Sequence, residues 1–182
     1  YWPAFLMAAD LDPPKRIFAH GWWTNNGSKI SKSLGNIINP YDVIEKYGLD
    51  QVRFFLFREV PFGNDGDFSD EAIKQRINAD LSNNFGNLIQ RVCLFIKNNC
   101  NSKVFNDFKR NEVDSNIIIL SNNTFDKYCE FMENQEIDKS LKVVLEFISK
   151  INVYIDTEQP WKLKKNNPER MNNVLSISLE MI

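Results

Sequence analysis

Lys29-Ile30-Ser31-Lys32-Ser33 places two ammonium groups and two hydroxyls within five residues, just ahead of Leu34-Gly35-Asn36. A short loop of this kind can close over a triphosphate. Its lysines would neutralise the charge that builds as pyrophosphate leaves. Its hydroxyls would donate to phosphate oxygens or tie the loop's own backbone. By composition alone, an ordinary solvated basic turn is the better explanation of the segment.

A second constellation lies further along. Asn87 and Arg91 are four residues apart, so on a helix both point the same way, beside Leu88 and Val92. An amide and a guanidinium on one face can read the edge of a splayed-out base. They are also compatible with a plain solvated pair. Trp161 follows Pro160 at a loop edge, where by residue type the ring reads as core. Lys162, Lys164, Lys165 and Arg170 come just after it, a local basic patch suited to phosphates or simply to water.

The chain around these residues divides in two. Residues 1–68 carry most of the glycines and prolines. Arg16 to Thr24 is rich in aromatic and β-branched residues and predicts a strand. Asn26-Gly27 then suits a tight hairpin turn. Asn39-Pro40 opens a helix that Gly48 ends, and Asp50 caps a second one through Glu59. From Ser69 onward the pattern is helical. Ser69 caps a long helix, Asp70 to Asn98, with Phe68 and Ile73 as its staple. Its apolar stripe runs through Ile73, Ile77, Leu81, Leu88, Val92 and Ile96. A polar connection around Asn101 to Ser115 precedes helices at Asn116–Asn134 and Ile137–Ile155. Asn167-Pro168 opens a last helix. The expected fold is mainly α: a small β-hairpin bearing the lysine loop, then a helical bundle.

Composition narrows the function classes. The 182 residues are 43% hydrophobic and 25% charged, as in ordinary globular chains. A net charge of −2 excludes a protein that coats nucleic acid indiscriminately. No run approaches the roughly 20 apolar residues a membrane helix needs. Cys93, Cys100 and Cys129 lack CxxC spacing, and with His20 as the one histidine they form no usual zinc site. No metal is expected. The chain begins without a Met and ends within an apolar-periodic run, as a piece of a longer protein would.

The loop and its surroundings resemble one family collinearly over nearly the whole chain. Lys29-Ile30-Ser31-Lys32-Ser33-Leu34-Gly35-Asn36 resembles the KMSKS loop of class I aminoacyl-tRNA synthetases, with Ile30 in place of the family's Met. Tyr1 to Met7, His20 to Thr24, Pro61-Phe62-Gly63 and Asp65 to Ser69 are similar to segments of the methionyl-tRNA synthetases. So are Ile77 to Leu81, Gly86-Asn87-Leu88, Pro160-Trp161 and Asn167 to Met171. The isoleucine, leucine and valine enzymes share the loop but not these flanks.

The resemblance implies a class I catalytic remnant over residues 1–68, with a linker that seats the tRNA stem, and an anticodon-binding domain over 69–182. It implies that Lys29 and Lys32 act in catalysis, and that Lys32, Ser31, Ser33, His20 and Gly21 line the ATP site. By residue type His20 reads as a strand histidine packed on the hairpin. Tyr1 and Trp2 would edge the methionine pocket. Asn87, Arg91 and Trp161 would read the anticodon. Implied partners are methionine, ATP with Mg2+ and the methionine tRNA, in the cytoplasm and with no membrane. The family's HIGH-type ATP motif is expected upstream of Tyr1, so these residues alone are expected to form no adenylate. Two competing expectations are a fragment of another class I synthetase and a free-standing helical module that binds RNA or a protein partner.

Overall fold

The computed structural model describes residues 1–104 and 109–182. A short helix, α1 (Trp2–Ala8), leads into an extended stretch and a three-stranded sheet of very short strands: β1 (Trp23–Asn25), β2 (Ser28–Lys29) and β3 (Gly66–Asp67). Their order is β2-β1-β3. The β1–β2 pair is antiparallel, with Thr24 opposite Lys29, and β1–β3 is parallel, with Trp23 opposite Gly66. Asn26 and Gly27 both take positive φ, 50° and 72°, which is the geometry a two-residue hairpin turn requires.

The strand expected over Arg16 to Thr24 is thus mostly absent. Only Trp23 and Thr24 of that run enter the sheet. A strand needs a neighbouring backbone to pair with, and β2 and β3 are too short to reach further back.

Between the hairpin and β3 lie α2 (Pro40–Tyr47) and α3 (Leu49–Arg58). Asn39 caps α2 by accepting the Tyr41 N–H at 3.1 Å, with Pro40 at the first helical position. Gly48, at φ 90°, ends α2 and is also the residue that precedes α3, so Asp50 lies in the first turn and not at the cap. Phe55 on α3 is completely buried, packed edge-on to Phe68 and tilted against Trp23. This aromatic knot fixes the hairpin to α3 and to the chain just past β3. Burying such a ring stabilises by about 1.5–3 kcal/mol.

Ser69 accepts the Ala72 N–H and starts α4 (Asp70–Arg76). The helix then widens into a π-helical segment, Ile77–Gly86, before resuming as α5 (Asn87–Asn99). The sequence predicts one uninterrupted α-helix here. Next come α6 (Glu112–Glu133), α7 (Ile137–Glu158), α8 (Pro160–Asn166) and α9 (Pro168–Glu180). The α6 helix begins four residues earlier than expected because Asn111 and Asp114 form a reciprocal capping box. Part of the connection expected around Asn101 to Ser115, residues 105–108, lies outside the described residues.

The core of the bundle runs along α7, whose Leu145, Ile148, Ile151 and Ile155 meet Leu88, Val92 and Ile96 of α5 and Val174, Leu175 and Ile177 of α9. Each stripe recurs at helical spacing. Among the described residues no helix is long and apolar enough to cross a membrane.

Candidate functional site

The lysine loop hangs from the hairpin, and acidic residues of the β3 segment hold that hairpin in place. Asp67 accepts the Gly27 N–H at 2.8 Å and the Thr24 hydroxyl at 2.7 Å. These bonds, the Gly27 one foremost, keep its carboxyl below the ordinary range. Asp65 accepts the Trp22 N–H at 2.7 Å. Gly21 is confined as well: a Cβ there would stand 2.0 Å from the Asn64 carbonyl oxygen, so no other residue fits without moving the backbone.

Within the loop, Ser31 and Ser33 share a hydrogen bond between hydroxyls at 2.8 Å. Asn36 does the bracing. Its side-chain oxygen accepts the Ser31 N–H at 2.8 Å and its amide donates to the Lys29 carbonyl at 3.0 Å. Asn25 in turn donates to the Asn36 carbonyl at 2.9 Å. Gly35 turns the chain at φ 65°, its N–H donating to the Lys32 carbonyl. Lys32 therefore sits on a closed turn with its side chain in solvent. Lys29 lies over the Trp22 ring, 5.9 Å from its centroid. The hydroxyls tie the loop's own fabric, one of the two roles their chemistry allows.

His20 is exposed and outside any strand, its Nδ1 at 2.8 Å from the Gly21 carbonyl. The reading of a packed strand histidine is overturned, since this stretch has no pairing strand to pack it. A cavity of about 330 Å³ opens beside it, between the hairpin, α3 and the start of α7, lined by Trp23, Phe57, Phe62 and Asp138 among others. Tyr1 and Trp2 are wide open to solvent where α1 begins.

The second site lies where the π-helical segment and α5 face α7. Asn87 is exposed and Arg91 half-buried, one turn apart. The Arg91 guanidinium is engaged across the groove by Asp156 at 2.5 Å, with Asn152 at 3.5 Å. Asn84 completes the row, donating to Ser149 and to the Leu145 carbonyl and accepting from Asn152. Asn84, Asn152 and Asp156 were not legible in sequence, because their partners are more than 60 residues away. Only the periodic placing of Asn84, three residues before Asn87, gave a hint.

Trp161 is not core: 44% of it is exposed, on the first turn of α8. Lys162, Lys164 and Lys165 are carried on the same short helix. Lys164 donates to the Asn99 side chain at the end of α5, at 2.9 Å. Arg170 departs from the basic patch. It is 14% exposed and fully engaged by Asp114 and Glu158, so it is not available to phosphate. Among the described residues no cluster of three or more His, Cys, Asp or Glu could hold a metal.

A family model described as tRNA synthetases class I (M) matches residues 1–93. The chain is 47% identical to the methionine–tRNA ligase of Rickettsia felis, covering all of this chain and 36% of that protein. It is 44% identical to the methionine–tRNA ligase of Brucella suis, covering all of this chain and 35% of that one. It thus spans about a third of the length of these relatives. Among solved structures, the methionyl-tRNA synthetase of Mycobacterium tuberculosis in complex with methionyl-adenylate matches with a TM-score of 0.92 at 40% identity, over all of this chain and 36% of that one. The same protein in its free state matches with a TM-score of 0.86. The chain belongs to the class I (M) tRNA synthetases, the methionyl-tRNA synthetase family.

Proposed function

We propose that this chain is a working part of a methionine–tRNA ligase. In that reaction the methionine carboxylate attacks the α-phosphorus of ATP, which arrives as its magnesium complex. Methionyl-adenylate forms and pyrophosphate leaves. The 3′ end of the methionine tRNA then attacks the adenylate carbonyl, and AMP is released.

Residues 1–68 contribute the loop that closes on the triphosphate. Lys32, with Lys29 behind it, neutralises the charge gathering on pyrophosphate. Ser31 and Ser33 shape the loop, while His20 and Gly21 present backbone along the adenosine side. Tyr1 and Trp2 supply aromatic wall to the methionine side, which suits a thioether. Residues 69–182 read the anticodon: Asn87 and Arg91 by hydrogen bonds and Trp161 by stacking, with the α8 lysines on the phosphates. The cytoplasm, where tRNA is charged, is the proposed site of action.

The observation that carries this reading is the braced lysine loop, exposed at its tip and held at its base. The M. tuberculosis relative named with methionyl-adenylate supports it over the whole chain length. The test uses the full-length protein that contains this chain, assayed for methionine-dependent pyrophosphate exchange and for methionine transfer to tRNA. Both activities are expected, and a change in the anticodon alone should lower only the second. Exchange that depends on a different amino acid would overturn the assignment.

A further inference from the structure

Arg170 closes the corner from which Trp161 projects. Its side chain lies in the first turn of α9 and is 14% exposed. Two of its nitrogens grip Asp114, Nη1 on Oδ2 and Nη2 on Oδ1 at 2.9 Å. Nε and Nη2 both reach Oε2 of Glu158, at 3.0 and 2.8 Å. Asp114 is wholly buried and also accepts the Tyr154 hydroxyl at 2.7 Å and the Asn111 N–H at 3.1 Å. One guanidinium therefore joins the start of α6, the end of α7 and the start of α9.

The consequence for α8 follows from chain order. Glu158 is the last residue of α7. Gln159 then takes the left-handed conformation, φ 49° and ψ 61°, to turn the chain into Pro160 and Trp161. At the far end, the Asn167 side chain accepts the backbone N–H of Arg170 at 3.1 Å. Arg170 thus holds the residue before the α8 turn with its side chain and the residue after α8 with its backbone. Both ends of a seven-residue helix are fixed by a single residue.

The chemistry argues for geometry as the reason for these charges. Replacing a buried ion cluster with well-packed apolar groups is often neutral or stabilising, so stability alone does not require one. A planar guanidinium fork, by contrast, sets direction as well as distance, which an ammonium cannot do. We propose that Arg170 is a positioning residue for anticodon recognition, acting through Glu158 and the Gln159 corner to aim the Trp161 ring. This rests on the proposed stacking role of Trp161.

The test uses the full-length enzyme with Arg170→Lys, which keeps the charge and loses the fork, and with Glu158→Gln as an independent second cut. Pyrophosphate exchange is expected to stay within about twofold of the unaltered enzyme for Arg170→Lys. The kcat/KM for charging the native tRNA should fall by about tenfold, a partial loss of one stacking contact. A transcript with a changed anticodon should lose much less, so discrimination narrows. The deciding measurement is Arg170→Lys combined with Trp161→Ala. If Arg170 acts through the ring, the double variant charges tRNA no more slowly than Trp161→Ala alone.

Losses that multiply in the double variant would overturn the positioning role while leaving the anticodon reading intact. Unchanged discrimination in Trp161→Ala would instead overturn the reading itself. If Arg170→Lys does not fold, the same cycle with Glu158→Gln decides the question. Full discrimination in Glu158→Gln would then defeat the proposal.

Discussion

The side-chain amide of Asn36 spans the lysine loop, accepting the Ser31 N–H at 2.8 Å and donating to the Lys29 carbonyl at 3.0 Å. Each bond is worth about 1 kcal/mol net, so together they bias the loop toward its closed turn by about one to two decades. Asn36→Ala in the full-length enzyme should therefore slow adenylate formation by about tenfold with the methionine KM nearly unchanged. Pyrophosphate exchange at saturating and limiting methionine checks both halves. Asn36→Asp keeps the acceptor and loses the donor, and should fall between the two.

Lys32→Ala tests the charge itself. Removing one preorganised group aimed at developing negative charge costs about 10²–10³ in kcat. Adenylate formation should drop by that order and methionine binding should persist. Lys32→Arg should recover part of the rate, since charge is retained. Equal losses in both variants would point to shape and not to charge.

Trp161→Ala separates two roles for one ring. The side chain is 44% exposed, so its removal should leave the thermal midpoint close to that of the unaltered enzyme. Stacking on a base is worth about 1–3 kcal/mol, which predicts a fall in tRNA charging of about five- to 150-fold. Pyrophosphate exchange should be spared. A large drop in the midpoint together with loss of both activities would show that the ring is packed after all.

Much of the fold was legible because its signals are local. Asn39-Pro40, Ser69 and Asn26-Gly27 each act within a few residues of themselves, and each does in the structure what its type predicts. The misses are cases where distant partners decide. The aromatic run before Trp23 has strand composition, yet only three residues of β1 find paired neighbours. The π-helical segment keeps apolar residues at spacings that suit an α-helix equally well, so the sequence does not reveal the widening at Ile77–Gly86. Arg170 sits among lysines in sequence and reads as one more surface cation. Its partner Asp114 is 56 residues away, and that separation hides the burial. The loop lysines, Asn87, Arg91 and Trp161 were legible as residue types. What holds them, Asn36 and Asp156 above all, was not.

The Asp114 carboxylate carries the last prediction, a dependence of stability on pH. Burial works against its ionisation. The hydrogen bonds from Arg170, Tyr154 and the Asn111 N–H outweigh that and hold the carboxyl below its ordinary range. The Tyr154 hydroxyl is pushed upward, by burial first and then by the neighbouring carboxylate. Asp70, bonded to Lys46, is likewise lowered, to about 2. A group whose folded value is depressed binds fewer protons folded than unfolded. Its contribution is therefore complete above the unfolded carboxylate value, about 3.9, and is lost as pH falls through the folded one. The thermal midpoint should accordingly vary little with these groups from pH 7 to about 5 and decline steeply below about 4. Asp114→Asn removes the charge but leaves Arg170 buried with Glu158 alone, and should cost about 3–5 kcal/mol at pH 7. It should also make the acid decline shallower, because the group that titrates is gone. Unfolding curves for both proteins across that range check the sign. An acid decline equally steep in Asp114→Asn would place the titrating groups elsewhere in the chain.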